Sequence, residues 1–335
     1  KSYDEVLAKG KINPSNMSLD MIIEIEPVSE YDANIVWKWH FWDRLIQDSN
    51  PELDNFVDSV NNPHKMNINC ELGFNTSLQD WNHCNSISYN EELDQILITS
   101  RRFNEIYIID HSTSTAEAQL DFGGTYGKGG DFLFRWGNVK NYLLNPEIIS
   151  ENLFAPHGAT WVKNNQTGKY NILIFNNNHI HGSNSAVVEI SPLTTNDGRY
   201  SFSDVGYFLP TYFNWVFTRD FHSGIQSGAF RLPNGNTLVT VTAMDLIFEI
   251  DNNFNIVWEY DGILRNVARA LKYPINYLEE DYLGDVNLDS AVNVLDVIIF
   301  VNFVLEGIYN NAADLNYDQN LNVLDIVILV EQILN

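Results

Sequence analysis

Short apolar stretches separated by turn residues run through most of the first 275 positions. Two of them, residues 21–39 (MIIEIEPVSEYDANIVWKW) and 246–260 (LIFEIDNNFNIVWEY), share one order: an I-x-E-I strand, a polar turn and an I-V-W strand. Apolar runs of this length, bounded by turn residues, are typical of strands that pair as hairpins. The pattern therefore predicts an antiparallel β-sheet protein in this part of the chain.

A longer repeat combines such hairpins into a larger unit. The segments HCNSIS (83–88), HGATWV (157–162) and SGAFRL (227–232) are each followed by a turn and an apolar strand. Together the pieces make a four-strand unit, and four-strand units in tandem are typical of propeller blades. Complete units start near His83, His157 and Ser227, whereas residues 1–50 supply only the last two strands of another. We therefore expect an all-β fold, part of a β-propeller whose N-terminal blades lie upstream of Lys1.

The C-terminal segment follows a different pattern, a duplicated loop at 285–296 (DVNLDSAVNVLD) and 314–325 (DLNYDQNLNVLD). Both copies have Asp, Asn, Asp, Asn and Asp at places 1, 3, 5, 9 and 12, the oxygen-ligand spacing of a calcium loop with a backbone carbonyl at place 7. The predicted ligands of two calcium ions are Asp285, Asn287, Asp289, Ala291, Asn293 and Asp296 in the first loop, and Asp314, Asn316, Asp318, Asn320, Asn322 and Asp325 in the second.

Each loop is followed by an apolar stretch, residues 294–307 and 323–335, whose spacing suits a buried helix. Place 6 is Ser290 or Gln319 where a glycine would ease the turn, so we expect a lowered calcium affinity. The alternative is that the acidic loops are merely solvated. The predicted domains are 1–275 and 284–335, with a linker at 276–283.

Charge restricts the partners. The 335 residues carry a formal net charge of −25, which repels nucleic-acid phosphates and anionic lipid headgroups alike. Neither nucleic acid nor a membrane is therefore an expected partner. The apolar run from Val297 is too short to span a bilayer.

Because the chain starts at Lys1 without a methionine, we expect either a removed leader or a piece of a longer protein. Cys70 and Cys84 allow one disulfide or two buried thiols, and this choice stays open.

Two histidines are the strongest candidates for chemistry. The first strand of each propeller blade lines the central channel, and His83 and His157 occupy equivalent first-strand positions. Arg101, with its neighbour Arg102, follows the strand QILITS one hairpin after His83. Adjacent arginines in an acidic protein can gather a small anion. The competing interpretation is two structural histidines and a surface arginine pair.

Other motifs give weaker signals. The loop GGTYGKGG (123–130) lacks the first glycine and the Ser or Thr of a phosphate-binding loop, so we interpret it as a mobile turn between strands. His179 and His181 could ligate a metal as an i, i+2 pair, although loop histidines beside Gly and Asn are more often exposed. G-x-S-x-G and H-E-x-x-H patterns do not occur in the sequence, which disfavours serine-hydrolase and zinc-peptidase chemistry.

The duplicated loop with only an outgoing helix resembles a type I dockerin over residues 284–335. This resemblance implies a calcium-dependent module that docks onto a cohesin. In such modules places 10 and 11 carry much of the partner choice, and here they are the apolar pairs Val294–Leu295 and Val323–Leu324.

Nearly all of residues 1–275 resembles the arylsulfotransferase (arylsulfate sulfotransferase) family. The motifs that carry the resemblance are residues 35–48 (IVWKWHFWDRLIQD), 80–118 (from DWNHCNSIS), 127–138 (GKGGDFLFRWGN), 155–178 (from APHGATW) and 227–239 (SGAFRLPNGNTLV). The resemblance implies a six-bladed propeller whose axial histidine takes a sulfuryl group from an aryl sulfate, forms a sulfohistidine and passes the group to a phenol. It implies no nucleotide sulfate donor.

Transferred residue by residue, the resemblance makes His157 the sulfated histidine, and His83 and Arg101 the auxiliary histidine and arginine. The chain has Pro156-His157-Gly158 where the family commonly has Gln-His-Asp. Our leading hypothesis is a secreted bacterial-type enzyme, extracellular or periplasmic, with a dockerin as its address. The alternatives are a non-catalytic propeller that binds a sulfated or aromatic ligand, and a non-catalytic assembly component.

Overall fold

The computed structural model divides the chain into two compact units, Lys1–Leu271 and Lys272–Asn335. The structure describes residues 1–57, 62–70, 78–143, 152–179, 184–195, 198–262, 266–273, 283–287, 289 and 291–334. The predicted linker, 276–283, lies outside these residues except for Leu283. Within the described parts of the chain, none of the helices has both the length and the apolar character needed to cross a membrane.

Three four-stranded antiparallel sheets follow one another along the larger unit, and a hairpin precedes them. The hairpin is β1 (Met21–Ser29) and β2 (Asp32–His40), after helix α1 (Tyr3–Ala8); a short parallel pair follows, β3 (Leu45–Ile46) and β4 (Met66–Asn67). The first sheet is β5 (Cys84–Asn90), β6 (Gln95–Ser100), β7 (Glu105–Asp110) and β8 (Phe134–Trp136). The second is β9 (His157–Lys163), β10 (Tyr170–Asn176), β11 (Ala186–Ile190) and β12 (Trp215–Thr218). The third is β13 (Gly228–Arg231), β14 (Thr237–Val241), β15 (Leu246–Ile250) and β16 (Ile256–Asp261).

These sheets confirm the predicted four-strand unit, its three starting points and both predicted hairpins. In each sheet the strands pair in chain order, so every strand is a neighbour of the next one in sequence. Short 3-10 helices lie at Phe41–Arg44, Leu78–Asp80, Glu117–Gln119, Val139–Asn141, Thr242–Met244 and Asn311–Ala313.

The core of the larger unit lies between successive sheets. Alternate residues of β6 point to opposite faces, as in any strand. Leu97 packs toward the second sheet in a cluster with Ile172 and Ile174, whereas Ile96 and Ile98 pack on the other side with the aromatic residues of β2. All six residues of β6 are buried, because the strand is covered on both faces. Because both faces are covered, the sequence of the strand does not alternate between apolar and polar residues.

A buried ion pair braces one end of the first sheet. Arg135 Nε and Nη2 donate to the two carboxylate oxygens of Glu105 at 2.8 and 2.9 Å, and both side chains are fully buried. Arg135 Nη1 also donates to the Lys65 carbonyl at 2.8 Å, and Tyr107 Oη donates to Glu105. Such a pair is costly to break because either partner alone would be a buried, uncompensated charge. It holds the start of β7, directly after the turn that carries Arg101.

The smaller unit contains the two predicted helices, α2 (Val294–Glu306) and α3 (Val323–Leu334). Phe300 and Leu329 are its fully buried centre, together with Ala313 and Leu315. The expectation of buried helices is wrong for much of their surface. Val294, Leu305 and Val323 are more than 60% exposed, because in the described part of this unit α2 and α3 pack against each other through one face and leave the rest of their surface open.

The two cysteines form no disulfide. Cys70 and Cys84 are free thiols, and both pack at the edge of the first core cluster. Burial raises the pKa of the Cys70 thiol to about 12, so it stays protonated at neutral pH. The structure therefore favours the second of the two alternatives that the sequence leaves open.

Candidate functional site

The repeat-equivalent positions lie at the same end of the three sheets. His83 immediately precedes β5, His157 is the first residue of β9, and Ser227 immediately precedes β13. Arg101 follows β6, and its backbone N–H donates to the His83 carbonyl at 3.1 Å. We call the end of the sheets that carries these residues the His157 end. Strands of neighbouring sheets are tied here, since the side-chain amide of Asn85 donates to the Pro156 carbonyl at 2.8 Å.

His157 is held by an asparagine that the sequence analysis did not single out. Its side chain is buried, with 6% exposure. Nδ1 lies 2.8 Å from Oδ1 of Asn177 and 3.1 Å from the carbonyl of Ala155. Both of these neighbours are oxygens that only accept hydrogen bonds. Nδ1 therefore carries the proton.

The orientation of Asn177 makes this tautomer assignment firm. Asn177 is fully buried, and its Nδ2 donates to the carbonyls of Ser223 at 2.7 Å and Gln226 at 3.0 Å. A flipped amide would point its oxygen at two carbonyl oxygens, so the amide has only one acceptable orientation. With the proton fixed on Nδ1, the other ring nitrogen, Nε2, keeps its lone pair.

The imidazole of His157 is also kept neutral. Burial lowers its pKa to about 4 against the opposing hydrogen bonds to Asn177 and Ala155, and the positive charges of Arg101 and His83 lower it further. Arg101 donates from its backbone N–H to His83, and Asn85 in β5 donates to the Pro156 carbonyl beside His157, so the three predicted site residues lie at one end of neighbouring sheets. A neutral, oriented imidazole beside cationic groups can act as a nucleophile toward an anionic substrate.

Asp80 holds two basic side chains of the first sheet. His83 Nδ1 lies 2.7 Å from Asp80 Oδ2, and Arg102 donates to the same oxygen from Nε at 3.1 Å and Nη2 at 2.8 Å. Although partial burial acts the other way, the hydrogen bonds from His83 and Arg102 hold the pKa of Asp80 below its usual value. Arg102 is 8% exposed, so it is not a surface arginine. It orients Asp80 instead.

Arg101 is held by main-chain oxygen. Its Nη2 donates to the Gly224 carbonyl at 3.2 Å, and burial lowers the pKa of its guanidinium, as does the neighbouring charge of Arg102. The segment 223–226 thus supplies carbonyl groups to two site residues, to Arg101 from Gly224 and to Asn177 from Ser223 and Gln226. This segment directly precedes the Ser227 repeat position, which is the only signal that the sequence offers for it.

The backbone at His157 is irregular. Gly158 has φ +62, the left-handed region that favours glycine. The pairing of β9 with β10 shifts register between Leu173 and Phe175, where Phe175 pairs with His157. Bulges of this kind re-aim a side chain at the end of a strand. Gly158, which stands where the family commonly has Asp, is therefore the residue with the left-handed backbone.

The weaker motifs acquire no role in this site. In the glycine-rich loop 123–130, the N–H groups of Gly129 and Gly130 donate to the carbonyls of Gly123 and Leu120, so they are not available to an anion. The loop joins β7 to β8, as predicted for a turn between strands. His179 is half-buried, and its Nδ1 lies 3.2 Å from the amide nitrogen of Asn176. His181 lies outside the described residues, so the proposed pair is not seen.

The two C-terminal loops share one arrangement. The carboxylate of Asp296 accepts from the backbone N–H groups of Val286 and Asn293, at 3.0 and 2.9 Å. Asp325 accepts in the same way from Leu315 and Asn322, at 3.0 and 2.9 Å. Each loop is thus closed by the carboxylate at place 12. Ser290, at place 6 of the first loop, lies outside the described residues.

The buried negative charge of these loops bears on whether they can hold a cation. Four carboxylates are at least 97% buried: Asp285, Asp296, Asp314 and Asp325. Residues 283–335 contain no Lys, Arg or His to compensate them. Buried carboxylates normally need a paired cation, and the donor set of each loop is all oxygen, which is what calcium prefers. In the described residues, however, no three His, Cys, Asp or Glu side chains gather as a metal-binding group. The residues fit calcium by chemistry and burial, and calcium binding stays a prediction.

Both units of the chain, the β-sheet unit and the C-terminal two-helix unit, match known protein families. Residues 7–202 match the family model "Arylsulfotransferase (ASST)", and residues 283–334 match the type I dockerin domain. The chain belongs to the arylsulfotransferase family and carries a C-terminal type I dockerin domain. Dockerin domains occur in extracellular proteins.

Solved structures give only remote likenesses. A protein of unknown function from Bacteroides caccae is 14% identical with a TM-score of 0.27, covering 56% of this chain and 49% of that chain. A streptogramin B lyase is 14% identical with a TM-score of 0.27, covering 59% and 46%. Virginiamycin B lyase from Staphylococcus aureus is 15% identical with a TM-score of 0.26, covering 59% and 47%. The chain thus spans about half the length of these structures. No curated protein matches the chain.

Proposed function

We propose that this chain transfers a sulfuryl group from an aryl sulfate to a phenol through a sulfohistidine on His157, without a nucleotide donor. The observation that carries the proposal is the fixed tautomer of His157. Asn177 holds the proton on Nδ1, so the lone pair of Nε2 is available at neutral pH. The three sheets and the β1–β2 hairpin would serve as blades of a six-bladed propeller, with His157, His83 and Arg101 at its axis.

The first half-reaction forms an N–S bond and breaks an S–O bond. The Nε2 lone pair of His157 attacks sulfur, and the electron pair of the S–O bond leaves with the phenolic oxygen. Arg101 stabilises the sulfuryl oxygens, while His83, oriented by Asp80, gives a proton to the leaving oxygen. The sulfated imidazole still donates Nδ1–H to Asn177, which stabilises its positive charge.

The second half-reaction reverses these steps with an acceptor phenol. Its oxygen attacks sulfur and loses its proton to His83, and the N–S bond pair returns to His157. Sulfuryl transfer resembles phosphoryl transfer in that positioning and charge stabilisation do most of the work. This is why one histidine, one arginine and a second histidine suffice.

A transfer assay with site variants tests the proposal. Incubation with an aryl sulfate and a phenol should give a new aryl sulfate, and the peptide that contains His157 should gain one SO₃ group. His157→Ala should abolish both, and His83→Ala and Arg101→Ala should each lower the rate on the order of 10²-fold. His111→Ala is the matched control, because His111 follows β7 at the opposite end of the first sheet. Saturable binding of the donor without transfer would instead identify a ligand-binding propeller.

We also propose that the dockerin binds two calcium ions and docks to a cohesin, which would place the protein outside the cytoplasm. The exposed pairs Val294–Leu295 and Val323–Leu324, each 55% exposed or more, support an apolar contact surface on the two helices. Surface plasmon resonance with a recombinant type I cohesin should show binding that a chelator abolishes. Replacing Leu295 and Leu324 with Asp should weaken it, whereas equal binding by this variant would contradict the proposed surface.

A further inference from the structure

A cavity lies in the larger unit, away from the His157 site. It has a volume of about 510 Å³, within the range that holds drug-sized ligands. Its lining includes the aromatic rings of Tyr126, Tyr200 and Phe202, and the basic side chains of His64, Lys128 and Arg199. Among the described residues that line it there is neither Asp nor Glu. In a chain of net charge −25, this is an exceptional local composition.

The strand pairing places this cavity at the end of the sheets opposite to His157. In the first sheet, Ser100 pairs with Glu105 at the His157 end and Gln95 pairs with Asp110 at the other end. Tyr126 and Lys128 lie on the connection that leaves β7 after Asp110. In the second sheet, β11 ends at Ile190, which pairs with Ile172 and lies away from the Asn176–Ala186 end. Tyr200 and Phe202 lie on the connection that follows.

The hydroxyl groups of the two lining tyrosines are hydrogen-bonded to the first sheet. Tyr126 Oη donates to the Leu93 carbonyl at 2.8 Å, and Tyr200 Oη donates to Gln95 Oε1 at 2.6 Å. Both hydroxyls are thus engaged on the first sheet. Phe202 packs edge-on against His64 with the ring centroids 5.4 Å apart, so these two rings fix one another. Flat apolar surfaces of this kind bind aromatic rings.

The basic side chains define the charge of the ligand. Lys128 is half-buried and makes no ion pair within the described part of the chain. His64 Nδ1 lies 2.6 Å from the Phe132 carbonyl, so this nitrogen carries its proton and the ring is fixed. Burial lowers the pKa of His64, and the charges of Lys128 and Lys65 lower it further, which favours the neutral ring. Lys128 therefore brings positive charge to the lining of the cavity, and a negative group on the ligand would pair with it.

We propose that this cavity is a second, non-catalytic binding site for an aromatic anion, with the ring between Tyr126, Tyr200 and Phe202 and the anionic group at Lys128. The ligand class is a sulfonated, sulfated or carboxylated aromatic molecule. The site also gives the glycine-rich turn a role, since that turn carries Lys128 into the cavity. This inference does not depend on sulfotransfer by His157.

Binding of naphthalenesulfonate, which has no transferable sulfuryl group, tests the proposal by calorimetry on the full chain. Lys128→Gln should lower the affinity about tenfold, whereas Lys38→Gln, with the same change of charge on β2, should not change it. Phe202→Ser should lower the affinity, and Phe122→Ser on the same connection as Lys128 should not. Naphthoate should compete for the site, since the anionic group is recognised by charge, and neutral naphthalenemethanol should bind at least tenfold more weakly.

The Arg101→Ala variant separates this site from the His157 site. Binding that persists in Arg101→Ala and falls in Lys128→Gln supports the second site, even if no sulfotransfer is detected. Binding that is lost in Arg101→Ala and unchanged in Lys128→Gln overturns it, as does equal affinity for the neutral compound. A photoreactive naphthalenesulfonate should label residues of the 126–133 or 198–202 segments, and labelling confined to residues 80–101 and 155–177 would contradict the proposal.

Discussion

One side-chain amide decides which nitrogen of His157 can react. Asn177 accepts from Nδ1 with its oxygen and donates to two carbonyls with its nitrogen, so every polar atom of the amide is used. The buried environment makes the alternatives expensive, because a flipped amide or a flipped imidazole leaves unpaired polar atoms. Asn177 is therefore a positioning residue, and it acts through His157 without touching the substrate.

Asn177→Leu should release this control. The variant keeps a side chain of similar size but removes the donor to the Ser223 and Gln226 carbonyls and the main acceptor of the His157 Nδ1 proton, which lets that proton move to Nε2. We expect transfer to fall on the order of 10²-fold or more, by loss of the correct tautomer. Nitrogen NMR of His157 should show Nδ1–H in the wild type and a mixture in the variant. Asn178→Leu, one residue away, is the control; an unchanged tautomer in Asn177→Leu would contradict the assignment.

The titration of His157 has a consequence for stability. Its pKa is about 4 in the folded chain against 6.5 for the free group, so the unfolded chain binds a proton in this window that the native site does not. Native stability is therefore lost as the pH falls from about 6.5 to 4, by about 3 kcal/mol at pH 4. His157→Gln removes this term. The difference in unfolding free energy between wild type and variant should shrink by that amount between pH 7 and 4 in urea titrations, and a constant difference would contradict the low pKa.

At the scale of elements, the start of β9 is the critical feature. Gly158 is the left-handed residue of this strand, and it lies within the irregularity between the His157–Phe175 and Thr160–Leu173 pairs. A Cβ on Gly158 would lie 3.3 Å from Gly228 Cα and 3.4 Å from the Ser227 carbonyl oxygen. Two neighbouring sheets therefore approach each other closely where His157 begins the strand.

Gly158→Ala should destabilise the chain and displace His157. The left-handed backbone alone costs about 1–2 kcal/mol for a residue with a Cβ, and the contact with the β13 backbone adds to it. Gly168→Ala is the matched control, since Gly168 has φ +69 and open space around it. We expect both variants to lower the urea midpoint and only Gly158→Ala to lower the transfer rate. Equal rates in the two variants would show that β9 tolerates the added methyl group without moving His157.

The repeats in the sequence predicted these elements well, and the contacts between them poorly. The strands after His83, His157 and Ser227 have apolar runs bounded by turn residues, so local periodicity was sufficient. Asn177 and Asp80 were missed because an asparagine in a loop or an aspartate near a strand has many possible partners, and only the packing of two sheets selects one. The exposure of α2 and α3 was missed for a related reason, since an apolar helix does not reveal how many neighbours it has.

At the scale of the whole molecule, the two units differ sharply in charge. Residues 283–335 have eight acidic residues and no basic one: Asp285, Asp289, Asp296, Glu306, Asp314, Asp318, Asp325 and Glu331. All nineteen Lys and Arg residues therefore lie before residue 283. Self-repulsion in the smaller unit opposes its compact state unless cations are bound.

Calcium should accordingly stabilise the smaller unit selectively. Thermal unfolding of the full chain is followed by helical circular dichroism. Adding calcium should raise the midpoint temperature of the helical transition, and a chelator should lower that temperature. Replacing Asp296 and Asp325 with Asn should remove the calcium response, whereas Glu306→Gln, the same charge change outside the loops, should keep it. A helical transition that is insensitive to calcium and chelator would show that these loops are not calcium sites.

The carbonyl groups of segment 223–226 have a further consequence for how this protein tolerates change. They hold Arg101 and Asn177 through the main chain, so the identities of the side chains in this segment hardly matter to those contacts. Ile225, whose side chain is 47% exposed, is free to vary, whereas an inserted or deleted residue would displace three acceptors at once. Saturation mutagenesis should find Ile225 permissive and Ser223 restricted, because the buried Ser223 Oγ donates to the Ile225 carbonyl and accepts from the Ala243 N–H. At Ile225 only changes of length or of backbone path would reveal that activity depends on the segment.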